Sequence, residues 1–144
     1  MYTQPAAIGI GGAYCLAVPE HPDAALVRDA LRALGRGDVE AMVQTLASDV
    51  EWHEIGRAEP VRGNEAVAAL FGGPPLPDSE VTTEIHDVVA NGDHVIALVR
   101  AEARRGTRRL DYRTAEMFHV RDGKITARWA FSDDTAAILA FYAN

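Results

Sequence analysis

Three tight-turn signals cut the second half of this chain into four runs that read as strands. Asn91-Gly92-Asp93, Gly106 and Arg121-Asp122-Gly123-Lys124 separate "EVTTEIHDVVA", "HVIALVRAEARR", "RRLDYRTAEMFHV" and "ITARWAF". The runs are rich in β-branched and aromatic residues, which suit a pleated, half-buried surface. Turns this short can only join antiparallel neighbours, because a parallel pair needs a crossover of a dozen residues or more. Residues 80–131 therefore predict an antiparallel meander.

The first half predicts helices. Pro22 and Asp23 open one that runs to about Arg36, with Ala25, Leu26, Ala30, Leu31, Ala33 and Leu34 on its apolar stripe; Gly35 and Gly37 end it. Asp38 caps a second helix carrying Val39, Met42, Val43 and Leu46. A strand, "SDVEWHEIGR", follows. After the loop "GRAEPVRG", Asn64 caps a third helix with Ala66, Val67, Leu70 and Phe71. Ser132 or Asp133 caps a last one, "DTAAILAFYA". Helices and strands are segregated rather than alternating, so the class is α+β: a curved, mostly antiparallel sheet wrapped around the early helices. Residues 1–20 read as a flexible or edge-strand arm, and 21–144 as a single domain, a length that can bury a real core.

Composition narrows the partners. A net charge of −7 argues against nucleic acid and against anionic membrane surfaces. No apolar run reaches the roughly 20 residues that span a bilayer. The opening segment lacks the basic start of a signal peptide. Cys15 is alone, so neither a disulfide framework nor a cysteine zinc site is expected, and a reducing, cytoplasmic setting fits. His21, His53, His86, His94 and His119 show no metal spacing. No metal and no cofactor are expected.

Alternation then singles out carboxylates that follow the apolar face. In the first strand Val50, Trp52 and Glu54 share a side, while Glu51 and His53 share the other. In the third run of the meander Leu110, Tyr112, Thr114, Glu116, Phe118 and Val120 form the more apolar side. Two strands thus each place a glutamate inward. The run 94–105 leaves two registers open: Ile96, Leu98, Arg100 and Glu102 face in, or Val95, Ala97, Val99 and Ala101 do. In the first register Arg100 and Glu102 join the two glutamates. A carboxylic acid in an apolar pocket resists ionisation, whereas one beside a cation stays charged, so such a cluster can supply both an acid and a base.

Four stretches, "ALGRGDVEAMVQTLASDVEWHEIGR", "VRGNEAVAALF", "VVANGDHVIALV" and "AEMFHVRDGKITARWAFSDD", resemble in order and spacing the SnoaL-like branch of the nuclear transport factor 2-like superfamily. Its relatives include ketosteroid isomerases, scytalone dehydratase, limonene epoxide hydrolase and polyketide cyclases. The resemblance implies a cone, a bent sheet over helices with an apolar pocket inside, often paired as a homodimer through the outer sheet face. Read against the isomerases, Glu54 falls at the general base and Glu116 close to an acid that holds the oxyanion, while Ala30 stands near an expected tyrosine. Read against the epoxide hydrolase, Arg100 and Glu102 resemble an Arg-x-Asp pair, and Ala130 replaces a later aspartate.

For the last strand, periodicity groups Ile125, Ala127, Trp129 and Phe131, whereas the family register points Arg128, Ala130 and Ser132 inward. Both hold if Trp129 and Phe131 meet a second copy. The expected site is therefore Glu54, Glu116, Arg100 and Glu102 for catalysis, with Trp52, Leu98, Tyr112, Phe118 and Arg128 around a small apolar substrate. The expected activity is cofactor-free acid–base chemistry of the isomerase, dehydratase, cyclase or epoxide-hydrolase kind. The alternative is a binding or accessory protein on the same fold.

Overall fold

A computed structural model describes residues 8–10, 13–15 and 19–143, the first two segments by backbone only. Most of the arm expected over residues 1–20 lies outside the described residues. Within it, β1 (Ile8–Ile10) and β2 (Ala13–Cys15) pair antiparallel as a two-stranded ladder of their own.

The helices come next: α1 (Pro22–Gly35) and α2 (Val39–Val43). Asp38 caps α2 as expected, its Oδ1 accepting from Ala41 N at 3.0 Å. Leu46, expected on the helical stripe, instead opens β3 (Leu46–His53), where it pairs with Ile125. The short β4 (Val61–Arg62) precedes α3 (Asn64–Gly72), whose cap position is Gly63 rather than Asn64. The meander follows as β5 (Ser79–Ala90), β6 (Val95–Arg105), β7 (Arg108–Arg121) and β8 (Lys124–Ser132). Last is α4 (Thr135–Tyr142), capped by Asp134 and not by Ser132 or Asp133. Asp133 serves the neighbouring strand, accepting from Arg113 N at 3.1 Å.

Six strands make one curved, open sheet in the order β4-β3-β8-β7-β6-β5. All neighbours are antiparallel except β3 and β8, which run parallel. One irregularity decides which side chains of β8 face inward. Val120 pairs with Ile125 and His119 with Ala127, so Thr126 is an unopposed extra residue. Such a bulge shifts the alternation by one. Ile125 points inward before it, and Arg128 points inward after it, both buried. The bulge splits the periodic grouping, with Ile125 inward and Ala127, Trp129 and Phe131 outward, while the register that the family resemblance implies, Arg128, Ala130 and Ser132 inward, holds after Thr126.

The register of β6 is also settled. Val95, Ala97, Val99, Ala101 and Ala103 are buried, while Ile96, Leu98 and Arg100 are exposed. Small residues face inward because α1 packs across β5 and β6, and its own buried stripe is small too: Ala24, Val27, Ala30 and Ala33. Close approach leaves little room for larger side chains there. The deep core lies nearer β3 and β7, where Trp52 packs edge-on against Phe71 at 5.6 Å and Phe118 at 6.5 Å.

The arginines of "EARRGTRR" flank the hairpin tip between β6 and β7 and reach the last helix. Arg105 and Arg108 both donate to the Phe141 carbonyl, and Arg105 also to that of Ala143. They thereby satisfy the unpaired carbonyls at the end of α4, where positive charge is favoured. α4 in turn covers the turn after β3. Gly56 has φ of +78°, and a Cβ there would lie 2.5 Å from Leu139 Cδ2. Leu139 is half-exposed and can move aside, so the backbone carries most of the strain. Gly56→Ala is expected to lower stability by about 1–2 kcal/mol, read as an earlier midpoint in urea denaturation.

Candidate functional site

Where β3 ends, the chain turns so that Glu54 stays on the Trp52 side. Its Oε1 accepts from Trp52 Nε1 at 2.7 Å. Trp52 is a buried indole whose N–H needs a partner, and Glu54 supplies it. This is why a carboxylate follows an apolar face here. Two strands away in the sheet, β7 carries Glu116 inward between Thr114 and Phe118, all three buried. Between them, β8 carries Arg128.

These three charges form one cluster. Arg128 Nε and Nη2 both donate to Glu116 Oε2, at 3.1 and 3.0 Å. Thr114 Oγ1 donates to the other oxygen at 3.2 Å. Arg128 Nη1 donates to the His53 carbonyl at 3.1 Å and lies 3.6 Å from Glu54 Oε1. The guanidinium also covers the Trp52 ring, 4.7 Å from its centre. Arg128 is thus held on two edges and one face. Among the described residues Glu54 Oε2 has no hydrogen-bond partner.

Beside the cluster lies a cavity of about 370 Å³. Leu31, Leu34 and Gly35 of α1, Phe71 of α3, and Val81, Thr83, Ile85 and Val99 of β5 and β6 form its walls. Glu54, Glu116 and Arg128 make its polar end. Most ligand sites share this construction, apolar walls with a few fixed polar groups. Gly35 brings helix and strand close: a Cβ there would meet Thr83 Oγ1 at 3.2 Å.

Of the nine expected site residues, Glu54, Glu116 and Arg128 converge on this cavity. Arg100, Glu102 and Leu98 do not. They stand on the outer side of β6, because the small residues took the inner register. Arg100 is exposed, 4.0 Å from Asp111, and Glu102 pairs with Arg104 and Arg109 at 2.9 and 2.8 Å. The hydrogen bond from Arg104, more than any other influence, holds the Glu102 carboxyl below its ordinary range.

Trp52 and Phe118 belong to the core, 2% and 1% exposed, rather than to the cavity wall. Trp52 reaches the site only through Glu54 and Arg128. Tyr112 does face inward, but its hydroxyl sits 3.4 Å from that of Tyr142 under α4. Burial above all keeps its phenol protonated well beyond the usual range. Glu116, expected as a proton donor, is instead the acceptor of three hydrogen bonds.

The wall residues were absent from the expected site. Leu31 and Leu34 had been visible as helical stripe positions, and Val99 as part of an all-apolar set. Nothing in the alternation of β5 singles out Val81, Thr83 and Ile85. Among the described residues, no three His, Cys, Asp or Glu side chains gather into a group that could hold a metal.

The sequence matches the SnoaL-like domain over residues 27–128. This chain belongs to the SnoaL-like family. A relative from Mycobacterium tuberculosis, itself uncharacterised, is 36% identical over 126 residues, 84% of this chain and 96% of its own. Among solved structures, Bal32a from a soil-derived mobile gene cassette superposes with a TM-score of 0.73. It is 26% identical and covers 85% of this chain and 97% of its own. A candidate polyketide cyclase from Xanthomonas campestris pv. campestris gives a TM-score of 0.68 at 25% identity, over 83% and 95% of the two chains. This SnoaL-like chain is similar to members of the nuclear transport factor 2-like superfamily. Among its described residues no helix is long and apolar enough to cross a membrane.

Proposed function

We propose that this SnoaL-like protein is a small-molecule enzyme performing cofactor-free acid–base chemistry on an apolar substrate. One observation carries the reading: an apolar cavity ends at a carboxylate, Glu54, with one oxygen unclaimed among the described residues. Glu54 would act as the base. Arg128, fixed by Glu116 and Trp52, would polarise the substrate oxygen or steady charge that develops on it. Glu116 would be a positioning residue, acting through Arg128. The similarity to a candidate polyketide cyclase supports a reaction on a carbonyl compound, and structural neighbours named as a candidate ketosteroid isomerase and an epoxide hydrolase, together with the family resemblance to a dehydratase, widen the proposed class to hydroxyls and epoxides.

A second reading, a carrier of apolar ligands, is favoured by Glu116 itself. Its engagement leaves the cavity a single free carboxylate, and binding alone needs no proton relay. Assaying the purified protein on a panel of apolar ketones, alcohols and epoxides separates the two, with Leu34→Trp as the blocked control. Turnover in the wild type and its loss in Leu34→Trp are expected. Binding of the panel without any turnover would leave the carrier.

We also propose a homodimer through the outer sheet face. Two adjacent cross-strand rows meet there: Val89, Ile96, Met117, Trp129 and His53, beside Leu98, Ala115 and Phe131. Phe131 is 58% exposed, whereas Trp129 is stacked against His53 at 4.9 Å. Phe131 is thus the more accessible anchor. In light scattering coupled to size exclusion, Phe131→Glu is expected to shift a dimer to monomer. A wild type that is already monomeric removes this proposal.

A further inference from the structure

The polar end of the cavity holds two carboxylates, Glu54 and Glu116, and one guanidinium, Arg128. Its formal charge is therefore net negative. Three of the five N–H groups of the single cation are already used, from Nε and Nη2 to Glu116 and from Nη1 to the His53 carbonyl, and one face covers Trp52. An incoming carboxylate would have to compete with Glu116 and share a small space with Glu54. A donor meets the opposite situation, since Glu54 Oε2 has no partner among the described residues.

We infer that this site selects apolar molecules bearing an ammonium or hydroxyl head, protonated amines above all, and rejects the corresponding carboxylic acids. The inference rests on the proposed use of this cavity and adds which ionic head group it admits; the neutral carbonyl, hydroxyl and epoxide substrates of that reading stay in place. An ammonium placed against Glu54 is paired and hydrogen-bonded, which is what a charge leaving water requires. A carboxylate placed there is not.

The neighbouring surface sets the direction of entry. A second groove shares Leu31, Gly35, Thr83 and Ile85 with the cavity and carries Arg28 and Arg32 of α1 and Arg36 just after it. Arg28 pairs with Glu20 at 2.8 Å and Arg36 with Asp38 at 3.3 Å, while Arg32 has no ion pair among the described residues. The groove lining thus keeps one cation without an ion pair among the described residues, Arg32, while the Glu54 end is net negative. A cationic head is repelled by the first and drawn to the second, so the hydrocarbon body lies along Leu31, Leu34 and Ile85 with the head at Glu54.

Three probes with one body test this: 2-naphthylmethylamine, 2-naphthalenemethanol and 2-naphthoic acid, titrated calorimetrically into the full chain at neutral pH. The amine is expected to bind at least tenfold more tightly than the acid, with the alcohol between them. In Glu54→Gln the amine should lose its advantage over the alcohol, and continued alcohol binding shows that the cavity has survived. Equal or tighter binding of the acid overturns the selectivity, as does an amine preference unchanged in Glu54→Gln. Failure of all three probes to bind overturns the use of the cavity itself, and the selectivity with it.

Discussion

Glu54→Gln is expected to lower turnover by about 10²–10⁴-fold, the usual contribution of a positioned general base. The substitution is structurally mild. A glutamine carbonyl still accepts the Trp52 Nε1 hydrogen bond that Glu54 Oε1 accepts at 2.7 Å, so the indole stays satisfied. What disappears is the negative charge and the ability to take a proton. The amide also leaves Arg128 without a charge 3.6 Å from Nη1. That loss is small, because Glu116 remains the nearer and better-placed anion, and Glu54 is about a third exposed, where such pairs contribute little. The melting temperature should therefore move by a few degrees at most while kcat collapses. A variant that folds, binds and turns over like the wild type would falsify the assignment of Glu54 as base and leave the protein a carrier.

How much of this site could be read in the sequence depended on the kind of constraint each residue obeys. Glu54 and Glu116 were legible because period-two alternation is local: each follows its own apolar neighbours, Trp52 or Phe118, to one face. The antiparallel meander was legible from its turn chemistry. The register of β6 was not, because both of its faces carry apolar residues. Only the placement of α1, whose Ala30 and Ala33 let it lie close to the sheet, tells that Ala97 and Val99 are inside and Leu98, Arg100 and Glu102 outside. The parallel pairing of β3 with β8 depends on contact between distant segments, and no local pattern announces it. That pairing, with the extra residue at Thr126, brings Arg128 beside Glu54. Family likeness placed Arg128 inward, but neither likeness nor alternation showed that it would bind Glu116.

Arg128→Leu is expected to cost roughly 3–5 kcal/mol of stability, because it strips a buried carboxylate of its counter-ion. Arg128 and Glu116 side chains are each 10% exposed, so water replaces the guanidinium at Glu116 Oε2 only poorly. Thr114 alone would remain to donate to that carboxyl. The double replacement Arg128→Leu with Glu116→Leu should recover most of the loss, since a well-packed apolar pair avoids the desolvation of both charges. Full recovery is not expected. The His53 carbonyl still loses the donor it has at 3.1 Å, at a cost of about 1 kcal/mol, and Trp52 loses the cation over its ring. Urea denaturation of the wild type, both single variants and the double closes the cycle. A large positive coupling assigns the penalty to the stranded carboxylate, and the pair then exists to orient charge in the cavity rather than to stabilise the fold. A double variant no more stable than Arg128→Leu would instead place the loss in the contacts with Trp52 and the His53 carbonyl. Glu116 would then no longer be what holds the guanidinium beside Glu54.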